Sequence, residues 1–275
     1  MRGWWQDLSD LVLPAECAGC GRSRTTLCAR CSAALRGAVP SRVRPRPAPP
    51  GLPVVFGAVP YRNAVRAVLL AHKERGALGL ARPLGEALAG AVRAGLVDGG
   101  VGGRGAGGRA PGGVLGAVTL VPVPSAPRAV RARGHDPTRR IAYAAAAELR
   151  RAGVAARVLA VLRQRRAVAD QSGLDARQRR VNVTGALEVV GGGSGLLSGN
   201  GRIVLVDDLI TTGASLAEAA RAIAVATGYA KIEREHGTEG NASGAGPGKA
   251  DEINRIPFRA AVVAASPDSF EINRN

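Results

Sequence analysis

Aromatic side chains are scarce in this 275-residue chain, where two Trp, three Tyr and three Phe make up 3% of the residues. Strong binding of single-stranded nucleic acid rests on aromatic rings interleaved with basic groups. Only Trp4 and Trp5 offer rings of that kind beside the basic residues, which weighs against such a surface. Long apolar runs are missing too. No stretch approaches the roughly 20 residues of a membrane span, so membrane insertion is not expected. Residues 1–10 carry Trp4, Trp5, Asp7 and Asp10 without the apolar centre of a signal peptide, and a cytoplasmic location is expected.

What is abundant is small and basic. The apolar share of 46% leans on Ala and Val, and 38 Gly dilute it. The length suits one substantial core with a small appendage. Lys and Arg total 38 against 21 Asp and Glu, a net charge of +17. That excess suits polyanionic partners, either nucleic acid or phosphorylated metabolites. Coding bias in an Ala/Gly/Arg-rich chain produces the same excess, so charge alone selects neither.

All four cysteines fall within fifteen residues, as Cys17-x-x-Cys20 and Cys28-x-x-Cys31 with seven residues between the pairs. Two intervening residues let both sulfurs of a pair point at one metal, and four thiolates suit a closed tetrahedral zinc site of the structural kind. Two disulfides fit poorly with a chain lacking an export signal, and a redox dithiol needs only one pair. The short gap predicts a compact knuckle over residues 1–39. Its expected task is local folding, and presenting Arg22, Arg24 and Arg30 to a phosphate backbone is the alternative.

Residues 40–53 are rich in Pro and Arg and read as an extended linker. Beyond them, strand-like runs at 54–59, 115–123, 203–206 and 258–265 alternate with helical patterns at 65–73, 80–96, 138–151 and 214–226. This alternation predicts an α/β domain over 54–275 with a mainly parallel sheet flanked by helices. Residues 99–113 and 191–201 read as glycine-rich connections, and 228–256 as an insertion in a surface loop.

The chemistry concentrates at 203–215, Ile-Val-Leu-Val-Asp207-Asp208-Leu-Ile-Thr211-Thr212-Gly213-Ala214-Ser215. A buried strand leads into two carboxylates, then into a hydroxyl and glycine turn that opens a helix. Ligands of open parallel sheets sit at the carboxyl ends of the strands. Free amides at a helix N-terminus favour an anion. Paired acids suit the two adjacent hydroxyls of a ribose, so one segment is expected to grip a ribose phosphate.

This segment resembles the signature with which type I phosphoribosyltransferases bind phosphoribosyl pyrophosphate (PRPP). Further segments make the chain similar to the ComF/GntX family of competence-associated, phosphoribosyltransferase-like proteins. They are Val121-Pro-Val-Pro124-Ser125 with Arg131-Ala-Arg133-Gly134-His135-Asp136, and Asp170-Gln-Ser-Gly-Leu174 followed by Arg177, Arg179, Arg180 and Asn182. The four-Cys module and Lys73-x-x-Gly76 complete the likeness, which spans nearly the whole chain apart from the glycine linkers and the insertion. Where the family commonly has Arg-Gly-Phe-Asn, this chain has Arg133-Gly134-His135-Asp136.

The resemblance implies the type I phosphoribosyltransferase fold, with PRPP held by Asp207, Asp208, Thr211, Thr212, Gly213, Ala214 and Ser215. It places the pyrophosphate on the Pro124–Ser125 turn with Arg131 and Arg133. The basic segment 163–182 is expected to close over PRPP, with Arg177 catalytic beside Asp207 and Asp208. Magnesium is expected to arrive with PRPP, held mainly by the ligand's own oxygens. Thr211 stands where purine-salvage relatives carry a carboxylate base, which disfavours oxopurines. Lys73 reads as an ordinary helix-end lysine, with PRPP binding as the alternative, His135 as a contact to the base, and His72 and His236 as residues with no nearby partner and no role. Two functions follow: phosphoribosyl transfer to or from a nitrogenous acceptor, or PRPP sensing by a protein that engages single-stranded DNA or DNA-uptake and recombination proteins. A degenerate scaffold is the third option.

Overall fold

The computed structural model describes residues 16–98, 117–166, 178, 182–197, 201–228 and 258–271. Five strands, four of them buried along much of their length, build the sheet interior and its parallel edge. They are β2 (Val54–Pro60), β3 (Val118–Pro122), β4 (Ala156–Val158), β7 (Arg202–Ile210) and β8 (Arg259–Ala265), joined at one edge by the antiparallel β1 (Ser41–Val43). The order is β1-β2-β8-β7-β3-β4, with every pairing parallel except β1 with β2. A separate antiparallel pair joins β5 (Leu162–Gln164) to β6 (Leu187–Val189).

Helices cover both faces, as burial of a parallel sheet on both sides demands. One face carries α2 (Asn63–Glu74), α3 (Ala81–Asp98) and α5 (Pro137–Arg151), whose Val68, Leu84, Leu88, Ile141 and Leu149 pack with Leu120, Val204 and Val206. The opposite face carries α7 (Ala214–Thr227), where Leu216 and Ile223 pack on Val121, Leu205 and Val262. Alternation along β7 therefore sends successive side chains into different cores. Each fully buried Leu or Ile contributes roughly 1.5–3 kcal/mol. At Gly85 of α3 a Cβ would stand 2.5 Å from Ala144 Cβ, so the missing side chain is what lets α3 and α5 approach.

The four-Cys module is not a detached appendage. Its helix α1 (Ala29–Arg36) inserts Leu35, 1% exposed, into the core beside α2 and α3. The stretch expected to be a free linker is extended but docked: it supplies β1, and Leu52 is buried on the α7 side of the sheet. Within the glycine-rich connection before β7, Gly193–Leu197 form a short helix, α6, anchored by buried Leu197. The strand at 203–206 also runs further than its apolar residues suggest, through both aspartates to Ile210. Pairing with β8 continues there, matching Leu209 to Ala264 and Ile210 to Ala265. Among the described residues, no helix is long and apolar enough to cross a membrane.

Candidate functional site

The order of the sheet fixes where a ligand can sit. After β3 the chain passes through α4 (Pro127–Arg133) and α5 to β4 on one side, and after β7 it passes through α7 to β8 on the other. Neighbours β3 and β7 thus form a switch point, where connections part to opposite faces and leave a crevice. Their register ends at Pro122 with Val206, while β7 continues beside β8. Asp207 and Asp208 stand just past that last pairing. They line a cleft of about 1310 Å³ together with Lys73, Ser125, Thr138, Thr211 and Ser215.

The acids are held from different directions. Asp207 Oδ1 accepts the Asp208 N–H at 2.9 Å and the Thr138 hydroxyl at 3.5 Å. Asp208, on the same side of β7 as Val204 and Val206, meets Lys73 of α2, whose Nζ donates to Oδ2 at 2.9 Å. Lys73 is therefore no ordinary helix-end lysine but an ion-pair partner, correcting the sequence expectation. Burial, and then the adjacent Asp208, push the Asp207 carboxyl well above the usual carboxylate range, with Lys73 in partial opposition. The Asp208 charge pushes Lys73 upward in turn.

The turn after β7 is built as a helix entry. Gly213 takes φ +77°, a left-handed conformation that L side chains rarely adopt. A Cβ there would meet Leu52 Cδ1 at 3.0 Å and Pro45 Cγ at 3.3 Å, so the close approach Gly213 permits is to the docked 44–52 segment. Thr212 Oγ1 accepts the Ala214 N–H at 3.4 Å. Thr211 and Ser215 face the cleft, where the first-turn amides of α7 lack partners within the helix.

On the β3 side, Pro124, Ser125, Arg131 and Arg133 all line the cleft. The Ser125 N–H and hydroxyl donate to Asp136 at 3.3 and 3.4 Å. The same carboxylate caps α5 by accepting the Arg139 N–H at 3.0 Å. Asp136 thus locks the turn to the helix, a role visible in sequence only as an acid before a proline-led helix. Arg133 pairs with Glu74 at 3.0 Å. The flanks of the basic segment form the β5–β6 pair, with Arg163 and Arg165 both bound to Glu188 and with Arg165 and Arg166 on the cleft wall. Arg177, expected to be catalytic, lies outside the described residues, as do Arg179, Arg180, His236, the 170–174 motif and most of the proposed insertion.

His72, expected to have no partner, is fully buried. Its ring nitrogens approach the carbonyls of Ala77 at 3.2 Å and Pro137 at 3.4 Å. Desolvation holds its pKa below the ordinary histidine value. His135 packs 5.8 Å from it, centroid to centroid, and does not line the cleft.

Cys17, Cys20, Cys28 and Cys31 do converge: their sulfurs all lie within 4.8 Å of one another, with Cys20 and Cys28 at 3.6 Å. Zinc–sulfur bonds of about 2.3 Å in a tetrahedron place sulfurs about 3.8 Å apart, so the set fits that ion and could hold it structurally. The Cys28 amide donates to Cys17 Sγ at 3.3 Å. Burial pushes the Cys17 thiol up, but amide hydrogen bonds from Cys28, Gly19 and Cys20 prevail and bring it to about 6. Burial, reinforced by the neighbouring thiols, pushes Cys31 up to about 12.

Fold and site together define an open, mostly parallel α/β protein with an acid-floored cleft at its switch point and a four-cysteine cluster beside one helical layer. Comparison with protein-family models and with curated proteins finds no match to this chain.

Proposed function

We propose that the chain binds PRPP in the β3–β7 cleft and transfers phosphoribosyl to or from a nitrogenous acceptor. One observation carries this reading: Asp207 and Asp208 line the cleft directly ahead of the Thr211–Ser215 helix entry. Ribose hydroxyls donate to the carboxylates, and the 5-phosphate takes the first-turn amides of α7 with the Thr211 and Ser215 hydroxyls. The pyrophosphate then extends toward Ser125, Arg131 and Arg133, where guanidinium groups give bidentate contacts.

Transfer breaks the bond from the anomeric carbon to the pyrophosphate oxygen, which departs with the electron pair, as the acceptor nitrogen bonds to that carbon and releases its proton. Fixed donors around the departing pyrophosphate lower the barrier because they need no reorganisation. Arg177 is assigned to this step. Bound Mg²⁺ would supply charge neutralisation on the pyrophosphate, and the ligand's own oxygens and water suit it better than a protein cage. In the cysteine module, zinc would be structural, held by Cys17, Cys20, Cys28 and Cys31.

Calorimetric titration of PRPP with Mg²⁺ tests the reading. Saturable binding that D207N and D208N each weaken is expected. A wild-type protein that binds no PRPP would sink it.

A further inference from the structure

An acid pair is a poor floor for a polyanion. Two carboxylates in the cleft would repel the phosphates of any ligand whose ribose they hold, most strongly where burial lowers the local dielectric. Asp207 and Asp208 are the only carboxylates on the cleft wall among the described residues, so the repulsion has to be cancelled close by. Thr138 brings a neutral hydroxyl to Asp207. Arg133 is on the wall but is already engaged by Glu74. The cation in direct contact is Lys73.

We propose that Lys73 is the built-in counter-ion of the acid pair, remaining on Asp208 in the loaded cleft so that the aspartates accept sugar hydroxyls without repelling the phosphates. The inference rests on the PRPP reading and deepens it, because the recognised ligand class becomes polyanionic sugar phosphates. Three features of the contact support it. The 2.9 Å Nζ to Oδ2 distance is that of a charge-assisted hydrogen bond. The Asp208 side chain is 7% exposed and that of Lys73 35%, so water and salt reach the pair from the lysine side only. Lys73 also reaches the cleft from α2 while Asp208 comes from β7, 135 positions away in the chain, so no local turn dictates the pairing. The direction of the Lys73 shift agrees, with Asp208 as its largest cause. Arg133 and Asp207 are the other charged groups acting on it.

The test is calorimetry of Mg²⁺–PRPP, and separately of inorganic pyrophosphate, against wild type, K73Q, K73R, D208N and the K73Q/D208N double variant. Circular dichroism and thermal melts check that each is folded. K73Q is expected to weaken both ligands at least about tenfold, and K73R to recover most of the loss because it keeps the charge. In the D208N background K73Q is expected to cost little more, since the carboxylate that Lys73 contacts is already gone. Equal loss in both backgrounds, or a K73Q protein that binds like wild type, overturns the proposal. If wild type binds pyrophosphate in a Lys73-dependent way but not PRPP, the ribose reading falls while the counter-ion stands. If it binds neither, both fall.

Discussion

Glu218, buried on α7, accepts the Leu187 N–H at 3.0 Å and so ties the β5–β6 pair to the helix whose N-terminus opens onto the cleft. Arg221 completes the clamp, with two nitrogens 2.7 Å from the Glu218 oxygens and one donating to the Leu187 carbonyl. Burial pushes the Glu218 carboxyl up, but hydrogen bonds from Arg221 and from the Leu187 and Gly185 amides outweigh this and hold it below 4.5.

Removing that carboxylate strands a buried amide. E218A is therefore expected to lose about 1–3 kcal/mol, lowering the melting temperature by roughly 2–4 °C per kcal/mol for a chain of this size. Because the folded pKa is depressed, the contribution of the carboxylate is complete above 4.5 and fades as pH falls through the lower folded value. Urea denaturation of wild type and E218Q should show a stability gap near neutral pH that narrows below 4.5. A gap that widens in acid contradicts the clamp.

Gly213 makes a second point of leverage. G213A places a side chain at φ +77° and 3.0 Å from Leu52. The left-handed backbone alone costs roughly 1–2 kcal/mol, and the displaced Leu52 adds to it. Chemical denaturation should show the loss, and L52A should relieve the contact part but not the backbone part.

Asp136 joins two elements, so its variants should separate two effects. D136A removes the α5 cap and the Ser125 clamp, and the cap alone is worth about 1 kcal/mol. D136N keeps an acceptor and should retain most of the stability. S125A removes only the hydroxyl part of the clamp and should leave α5 intact by thermal melting.

The cysteine cluster predicts about one tightly held zinc per chain, read by elemental mass spectrometry. Chelation, or C31S, should release it and expose thiols to a colorimetric reagent. Because Leu35 sits in the main core, the loss should also lower the melting temperature of the whole chain. Unchanged melting after complete zinc removal would separate the module from the fold.

How far the sequence carried the fold follows from the kind of signal each part left. Strands buried on both faces leave unbroken apolar runs, so β2, β3 and β8 were legible almost to their ends. β7 ran past its apolar residues, because pairing with β8 continues under the two acids where β3 has already stopped. The short β1 and the α6 turn were hidden in Pro-rich and Gly-rich stretches. Their order comes from docking Leu52 and Leu197, which no local pattern announces.

The candidate site divides the same way. Spacing within one short segment brought the four cysteines together and set Asp207 and Asp208 ahead of a helix entry, since such arrangements depend only on local backbone geometry. Lys73 on Asp208 and Thr138 on Asp207 join separate elements at the switch point. Only the packing of α2, α5 and β7 against one another decides those pairs, because a charge in sequence carries no record of which distant partner the fold will deliver to it.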